Sequence, residues 1–254
     1  MKLRVLGCSG GIGGNLRTTS FLLDHDVLVD AGTGVSELSL AELKMIDHVF
    51  VTHSHLDHIA CIPMMIDSVW NMRERPITLY AIAETLELLK QHIFNWKIWP
   101  NFTEIPDVNH PSLRYQVIGL GETVMLNGRG VTAVPANHVV PAVGYHLDSG
   151  LASLVFTGDT TTSDDLWKVV NKIENLRYLI IESAFPDREM ELAVISKHLC
   201  PSLLAVELGK LKRDAEIYVS HLSPGEMDLT MLEIEKSARG NRPQMLLNNQ
   251  EFDF

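Results

Sequence analysis

Short apolar runs, each closed by Gly, Asp or His, fill the first half of the chain. Leu3–Leu6, Phe21–Leu23, Val27–Val29 and Val49–Val51 predict short buried strands. Leu86, Leu89 and Ile93 recur at helical spacing and predict a helix near residues 84–94, with a loop rich in aromatics and proline from Trp96 to about Pro111. Strands are expected again at 115–119, 130–134, 142–147 and 153–157. The second half alternates. Leu166, Val169, Val170 and Ile173 mark one face of a helix before a strand at Tyr178–Ile181. Helices at about 189–199 and 202–212 precede a strand at Ile217–Val219. Ser223-Pro224-Gly225-Glu226 has the form of a capping box with Pro at the first helical position, and Met227, Met231, Ile234 and Ala238 form the buried stripe of the last helix. Hairpins first and strand–helix alternation later predict a layered α/β architecture with mixed sheets. No repeat or flexible linker interrupts the pattern, so residues 1–254 are read as one domain.

Composition adds little to the fold but narrows the function. Three cysteines, Cys8, Cys61 and Cys200, cannot all pair, which argues for a reducing, cytoplasmic compartment. The apolar runs are too short to cross a bilayer. The net charge of -11 disfavours nonspecific nucleic-acid binding, which depends on Lys and Arg neutralising phosphates. A small phosphate-bearing substrate remains compatible, because divalent ions would supply positive charge locally.

The chemistry concentrates in His53-Ser54-His55-Leu56-Asp57-His58, directly after an apolar strand. Four potential ligands in six residues crowd a single tetrahedral ion, and two adjacent ions relieve that crowding. Imidazole with carboxylate suits zinc, with manganese or iron as alternatives. His138, Asp159 and His221 each follow another apolar run, so seven candidate ligands stand at four strand ends. Asp30 also ends a strand and is expected either to orient a ligand histidine or to cap a turn. His25, His48, His92, His110 and His146 are read as ordinary surface or core residues. Gly7–Gly14 is followed by a strand pattern and not a helix, so it is read as a hairpin near the cleft and not as a dinucleotide fingerprint.

The HSHLDH run, with His138, Asp159 and His221 in this order, resembles the metallo-β-lactamase superfamily. That resemblance implies an αββα sandwich of two mixed β-sheets flanked by helices, with two metals at one edge. It implies His53, His55 and His138 on one ion, Asp57, His58 and His221 on the other, and Asp159 bridging both. Within the superfamily the chain is similar to the class II cyclic-nucleotide phosphodiesterases: HxHLDH is followed by the aliphatic Ile59, and the segments Ala83–Phe102 and Ile180–Pro186 match. A strand-end glutamate paired with a histidine one helix later, as in the transfer RNA 3′-processing endonucleases, corresponds to Glu182 and His198. Their long basic substrate arm has no counterpart here.

The resemblance therefore implies hydrolysis of 3′,5′-cyclic nucleotides, cyclic AMP foremost and cyclic GMP next, to 5′-monophosphates. The expected nucleophile is a hydroxide held between two ions about 3.5–4 Å apart. Asp57, Glu182 and His198 are the candidate catalytic residues, with His198 as general acid oriented by Glu182. Phe94, Trp96, Trp99 and Phe102 are expected either to wall a base pocket or to lie in the core. The expected partner is a small cyclic nucleotide and not nucleic acid, and a homodimer fits the family. The competing readings are an RNA 3′-end processing endonuclease, another small-molecule metallo-hydrolase, and a non-catalytic sensor. The sensor reading would predict lost ligands, and none is missing. A diiron redox enzyme would call for a carboxylate where His55 stands.

Overall fold

The computed structural model describes all 254 residues. Its strands are β1 (Lys2–Gly7), β2 (Ser20–Leu23), β3 (Val27–Val29), β4 (His48–Phe50), β5 (Ile77–Ala81), β6 (Pro106–Asp107), β7 (His110–Pro111), β8 (Leu113–Val117), β9 (Thr123–Leu126), β10 (Arg129–Pro135), β11 (Val143–Asp148), β12 (Ser153–Phe156), β13 (Leu176–Glu182), β14 (Glu216–Ser220), β15 (Gln244–Met245) and β16 (Glu251–Asp253). Its α-helices are α1 (Leu40–Met45), α2 (Leu56–Ile59), α3 (Ile62–Val69), α4 (Ala83–His92), α5 (Asp164–Val170), α6 (Met190–Ser196), α7 (Pro201–Leu208) and α8 (Met227–Ser237).

Two seven-stranded sheets carry the fold, ordered β16-β1-β2-β3-β4-β5-β8 and β15-β14-β13-β12-β11-β10-β9. Both are mixed: β3, β4, β5 and β8 run parallel in the first, and β12 to β15 run parallel in the second. Alternation along the strands sorts the side chains into three apolar layers. Val27, Val29, Phe50, Tyr145, Leu154, Phe156 and Ile180 pack between the sheets. Leu28, Val49 and Leu79 face the layer formed with Ile62, Ile66, Leu86 and Leu89, from α3 and α4. Val155, Leu179, Ile181 and Val219 face Leu166, Leu204 and Ile234, from α5, α7 and α8. Strands buried on both faces explain why the runs read as continuously apolar.

Parallel strands place their C-terminal ends on one side. β3 and β4 therefore deliver Asp30, Thr52 and His53 together, and β12, β13 and β14 deliver Asp159, Glu182 and His221.

Several boundaries differ from expectation. The strand read at 115–119 lies at Leu113–Val117, set by its parallel register Ile77↔Leu113 on β5. The helix read at 189–199 ends at Ser196, because Lys197 turns left-handed at φ 53°. The helix read at 202–212 ends at Leu208, before Gly209. No capping box forms at Ser223: Gly225, at φ +84°, turns the chain first, and the last helix starts at Met227 without a side-chain cap. The Met227, Met231, Ile234 and Ala238 stripe does pack on the second sheet's outer layer. Phe94 and Phe102 are core residues, Trp99 packs against the same core, and Trp96 is exposed. The three cysteines are buried and unpaired. No helix is long and apolar enough to cross a membrane.

Candidate metal centre

The first layer of the site is Asp30. Its carboxylate accepts from the Thr52 backbone amide (2.8 Å), the Thr52 hydroxyl (2.8 Å) and His58 Nδ1 (2.7 Å). The residue is wholly buried, and of the two roles expected for it, it orients a histidine. Because the Thr52 hydroxyl donates to Asp30, its oxygen accepts from His53 Nδ1 at 3.0 Å. On the opposite side, the Lys197 carbonyl lies 3.2 Å from His138 Nδ1. A carbonyl can only accept, so that nitrogen carries the proton. Held at Nδ1, all three rings turn Nε2 toward the cleft, the mode in which a metal-binding imidazole is oriented through its other nitrogen; His138 Nε2 also lies 3.1 Å from His55 Nδ1.

These ring nitrogens converge. Potential ligand atoms of His53, His55, His138 and Asp159 lie within 4.8 Å of one another, as do those of Asp57, His58, Asp159 and His221. Asp159 belongs to both groups. His53 Nε2, His58 Nε2, Asp159 Oδ2 and His221 Nδ1 are buried without any hydrogen-bond partner. Orphaned buried polar atoms are costly and rare. Cations held between them would account for four such atoms facing one another, so the residues present fit divalent metal ions.

Burial favours the neutral, ligating form of several rings: it depresses His55, pulls His138 down to about 4, and holds His53 far below the ordinary imidazole value. His58 is the exception. Burial opposes its protonation, but the Asp159 and Asp30 carboxylates outweigh burial and raise it. Asp159 lies below the carboxylate range because His221 and His58 overcome its own burial.

Local backbone geometry brings the ligands in. Asp159 follows Gly158, whose φ of +62° and close approach to the Val143 carbonyl leave no room for a side chain. Gly10 packs its Cα against the His221 ring and carbonyl, and the His221 amide donates to the Cys8 carbonyl (2.7 Å). The glycine-rich hairpin therefore lies against the cleft, as its sequence suggests.

Outside both groups stand His198 and Glu182. Glu182 is buried at the end of β13 and accepts from His198 Nδ1 (2.7 Å), the Thr160 amide (2.9 Å) and the Leu199 amide (3.2 Å). His198 lies flat against His221 with ring centroids 5.1 Å apart, and edge-on to His138 at 4.9 Å. Burial lowers its pKa, but the Glu182 charge outweighs that and raises it to about 9. All residues singled out as ligands or catalytic candidates thus meet at one edge. His25, His48, His92, His110 and His146 belong to neither ligand group. Thr52 and Lys197 escaped sequence reasoning. Thr52 adjoins the motif, and Lys197 acts largely through its backbone.

Comparison with known proteins agrees with this geometry. The sequence profile of the Beta-lactamase superfamily domain matches residues 25–237. A probable 3′,5′-cyclic-nucleotide phosphodiesterase of Yersinia pestis is 25% identical, over 93% of this chain and 83% of its own length. Ribonuclease Z of Haloarcula marismortui is 31% identical, over 58% of this chain and 47% of its own length. In structure the chain is similar to unliganded yeast PDE1, with a TM-score of 0.81 at 18% identity over 100% of this chain and 99% of that one. It is also similar to the metallo-beta-lactamase fold protein YhfI of Bacillus subtilis, at 0.78 and 18% identity over 99% of each chain. With its profile match, paired mixed sheets and histidine–aspartate edge, the chain belongs to the metallo-β-lactamase superfamily.

Proposed function

We propose that this metallo-hydrolase is a phosphodiesterase that converts 3′,5′-cyclic nucleotides, cyclic AMP foremost, to 5′-monophosphates. The observation that carries the reading is the pair of ligand groups sharing Asp159, with His198 and Glu182 beside them but in neither group. The near full-length similarity to a probable cyclic-nucleotide phosphodiesterase supports the substrate class.

His53, His55 and His138 would hold one ion, Asp57, His58 and His221 the other, with Asp159 common to both. Bound there, two divalent ions supply an acidified water and stabilise charge on phosphoryl oxygens. The chain's own residues do the rest. Asp30, Thr52 and the Lys197 carbonyl hold the imidazoles in the ligating tautomer. Glu182 anchors His198 Nδ1, so Nε2 is the end of the ring left to serve substrate. A histidine protonated at neutral pH, as the Glu182 charge favours here, can give its proton to the ribose 3′ oxygen as the P–O bond breaks.

The test is turnover of cyclic AMP by zinc-loaded protein in oxygen-18 water. The expected product is 5′-AMP carrying one labelled oxygen on phosphorus. His198→Ala should slow turnover by about 10²–10⁴-fold with metal content retained. The ribonuclease reading is favoured by the Haloarcula relative. Cleavage of a transfer RNA precursor with cyclic AMP left intact would establish it in place of ours.

A further inference from the structure

A cavity of about 980 Å³ opens beside the candidate metal centre and has His138 in its wall. The start of α4, the turn after β8, the segment after β10 and the start of α5 enclose it. Its chemistry differs from that of the metal edge. The lining contains no Lys or Arg, but three carboxylates, Glu84, Asp164 and Asp165. Asp164 is paired with Lys210 and Asp165 with Lys168, each at 2.7 Å, whereas Glu84 has no ion-pair partner. Val117, Leu120 and Val139 line the same groove and remain 52%, 62% and 48% exposed.

With no Lys or Arg in its wall, and with Glu84 unpaired, the groove offers a phosphate no neutralising contact. An RNA strand laid through it would lose the neutralising contacts on which such binding depends. Exposed aliphatic side chains instead suit a flat group with apolar faces. An unpaired carboxylate suits an edge that donates hydrogen bonds. Such a group, attached to a phosphate held at the other side of His138, is a nucleobase.

Resting on the cyclic-nucleotide reading above, we propose that this groove is the base subsite. The base lies against Leu120 and Val139 and turns its amino-bearing edge toward Glu84, while the cyclic phosphate occupies the metal edge. This places the base away from the aromatic segment 94–102, where Phe94, Trp99 and Phe102 pack in the core and Trp96 is exposed outside the groove.

The test compares zinc-loaded wild type with the double variant Leu120→Ser/Glu84→Gln on cyclic AMP and on methyl p-nitrophenyl phosphate, a diester with no base. The ratio of the two kcat/KM values should shift about tenfold against cyclic AMP, through KM. An unchanged ratio overturns the proposal. Equilibrium dialysis of 5′-AMP reports the groove without turnover. Weaker binding by the variant supports the subsite even if cyclic AMP proves not to be hydrolysed, in which case the proposed reaction falls and the groove stands. Equal binding by both proteins, or binding by neither, overturns the subsite whatever the reaction.

Discussion

Three residues of β3 separate two buried aspartates with opposite uses. At its start, Asp26 accepts two hydrogen bonds from the Arg129 guanidinium, at 2.6 and 2.7 Å. Arg129 opens β10 of the second sheet, and it also reaches Asp24 at 3.1 Å, so this end clasps the sheets together. At the other end, Asp30 holds Thr52 and His58 and no permanent cation. Burial pushes both carboxyls up. At Asp26 the Arg129 hydrogen bonds and charge outweigh it and the pKa falls; at Asp30 burial wins and the pKa rises. An aspartate closed on arginine is finished as an interaction. One closed on an imidazole edge leaves the far nitrogen free, and at His58 that nitrogen is orphaned. The same residue type on one strand thus serves assembly at one end and ligand orientation at the other.

The contrast predicts variants that separate activity from stability. The largest effect on activity is expected for Asp159→Asn, which alters the residue common to both candidate ligand groups. Elemental analysis should find the bound metal lost and turnover with it, while the metal-free variant should melt within a few degrees of metal-free wild type. At the clasp the outcome should reverse. Arg129→Met leaves Asp26 buried and unpaired, which costs about 3 kcal/mol and lowers the melting midpoint by roughly 6–12 °C. Its metal stoichiometry should stay at the wild-type value. A melting midpoint unchanged in the Arg129 variant would show that the clasp holds nothing.

A middle case sharpens the division. Asp30→Asn removes the charge behind His58 and leaves one accepting oxygen where two are used, so its NH2 group faces either the Thr52 amide or the His58 Nδ1 and Thr52 hydroxyl. Metal affinity, measured by chelator competition, should weaken about 10–100-fold. An unaltered affinity would reduce Asp30 to a packing residue.

The two ends were unequally legible in the sequence, for physical reasons. Each candidate ligand follows an apolar run, and a strand end projects its next side chains into a cleft, so their positions show in the hydrophobic pattern itself. The clasp leaves no such trace: Arg129 pairs with a residue 103 positions away, and only the packing of one sheet on the other brings them together. The Lys197 carbonyl is invisible for another reason, since every residue has one and only the left-handed turn at φ 53° aims it at His138. Local motifs can mislead in the opposite sense. Ser223-x-x-Glu226 has the letters of a capping box and does not form one. Ser39-x-x-Glu42, not singled out from sequence, does: the Ser39 side chain accepts from the Glu42 amide and the Glu42 carboxylate from the Ser39 amide. The difference is the Pro224-Gly225 pair, which favours a turn before a helix can begin.

The smallest expected effect is a pH dependence confined to the clasp. Asp26 has its folded pKa depressed, so the stability it contributes is fully present above the unfolded value of about 3.9 and disappears as pH falls through the folded value. Asp26→Asn keeps the shape of the side chain and removes the titration. Urea unfolding of wild type and variant should therefore show a gap that does not shrink between pH 7 and pH 5, since protonation of the neighbouring His48 only adds to the charges that favour ionised Asp26. Below about pH 4 that gap should close. The metal edge also changes with acid, as ligands take up protons, but it does so in both proteins. Asp30 lies about 13 Å along the strand from Asp26, beyond the range at which independent sites couple, so its contribution cancels in the difference. A gap that widens between pH 7 and pH 5 would report the charge of the neighbouring His48, which acts on Asp26 beside that of Arg129. A gap that persists undiminished at pH 3 would mean that the pairing with Arg129 does not depend on the Asp26 charge.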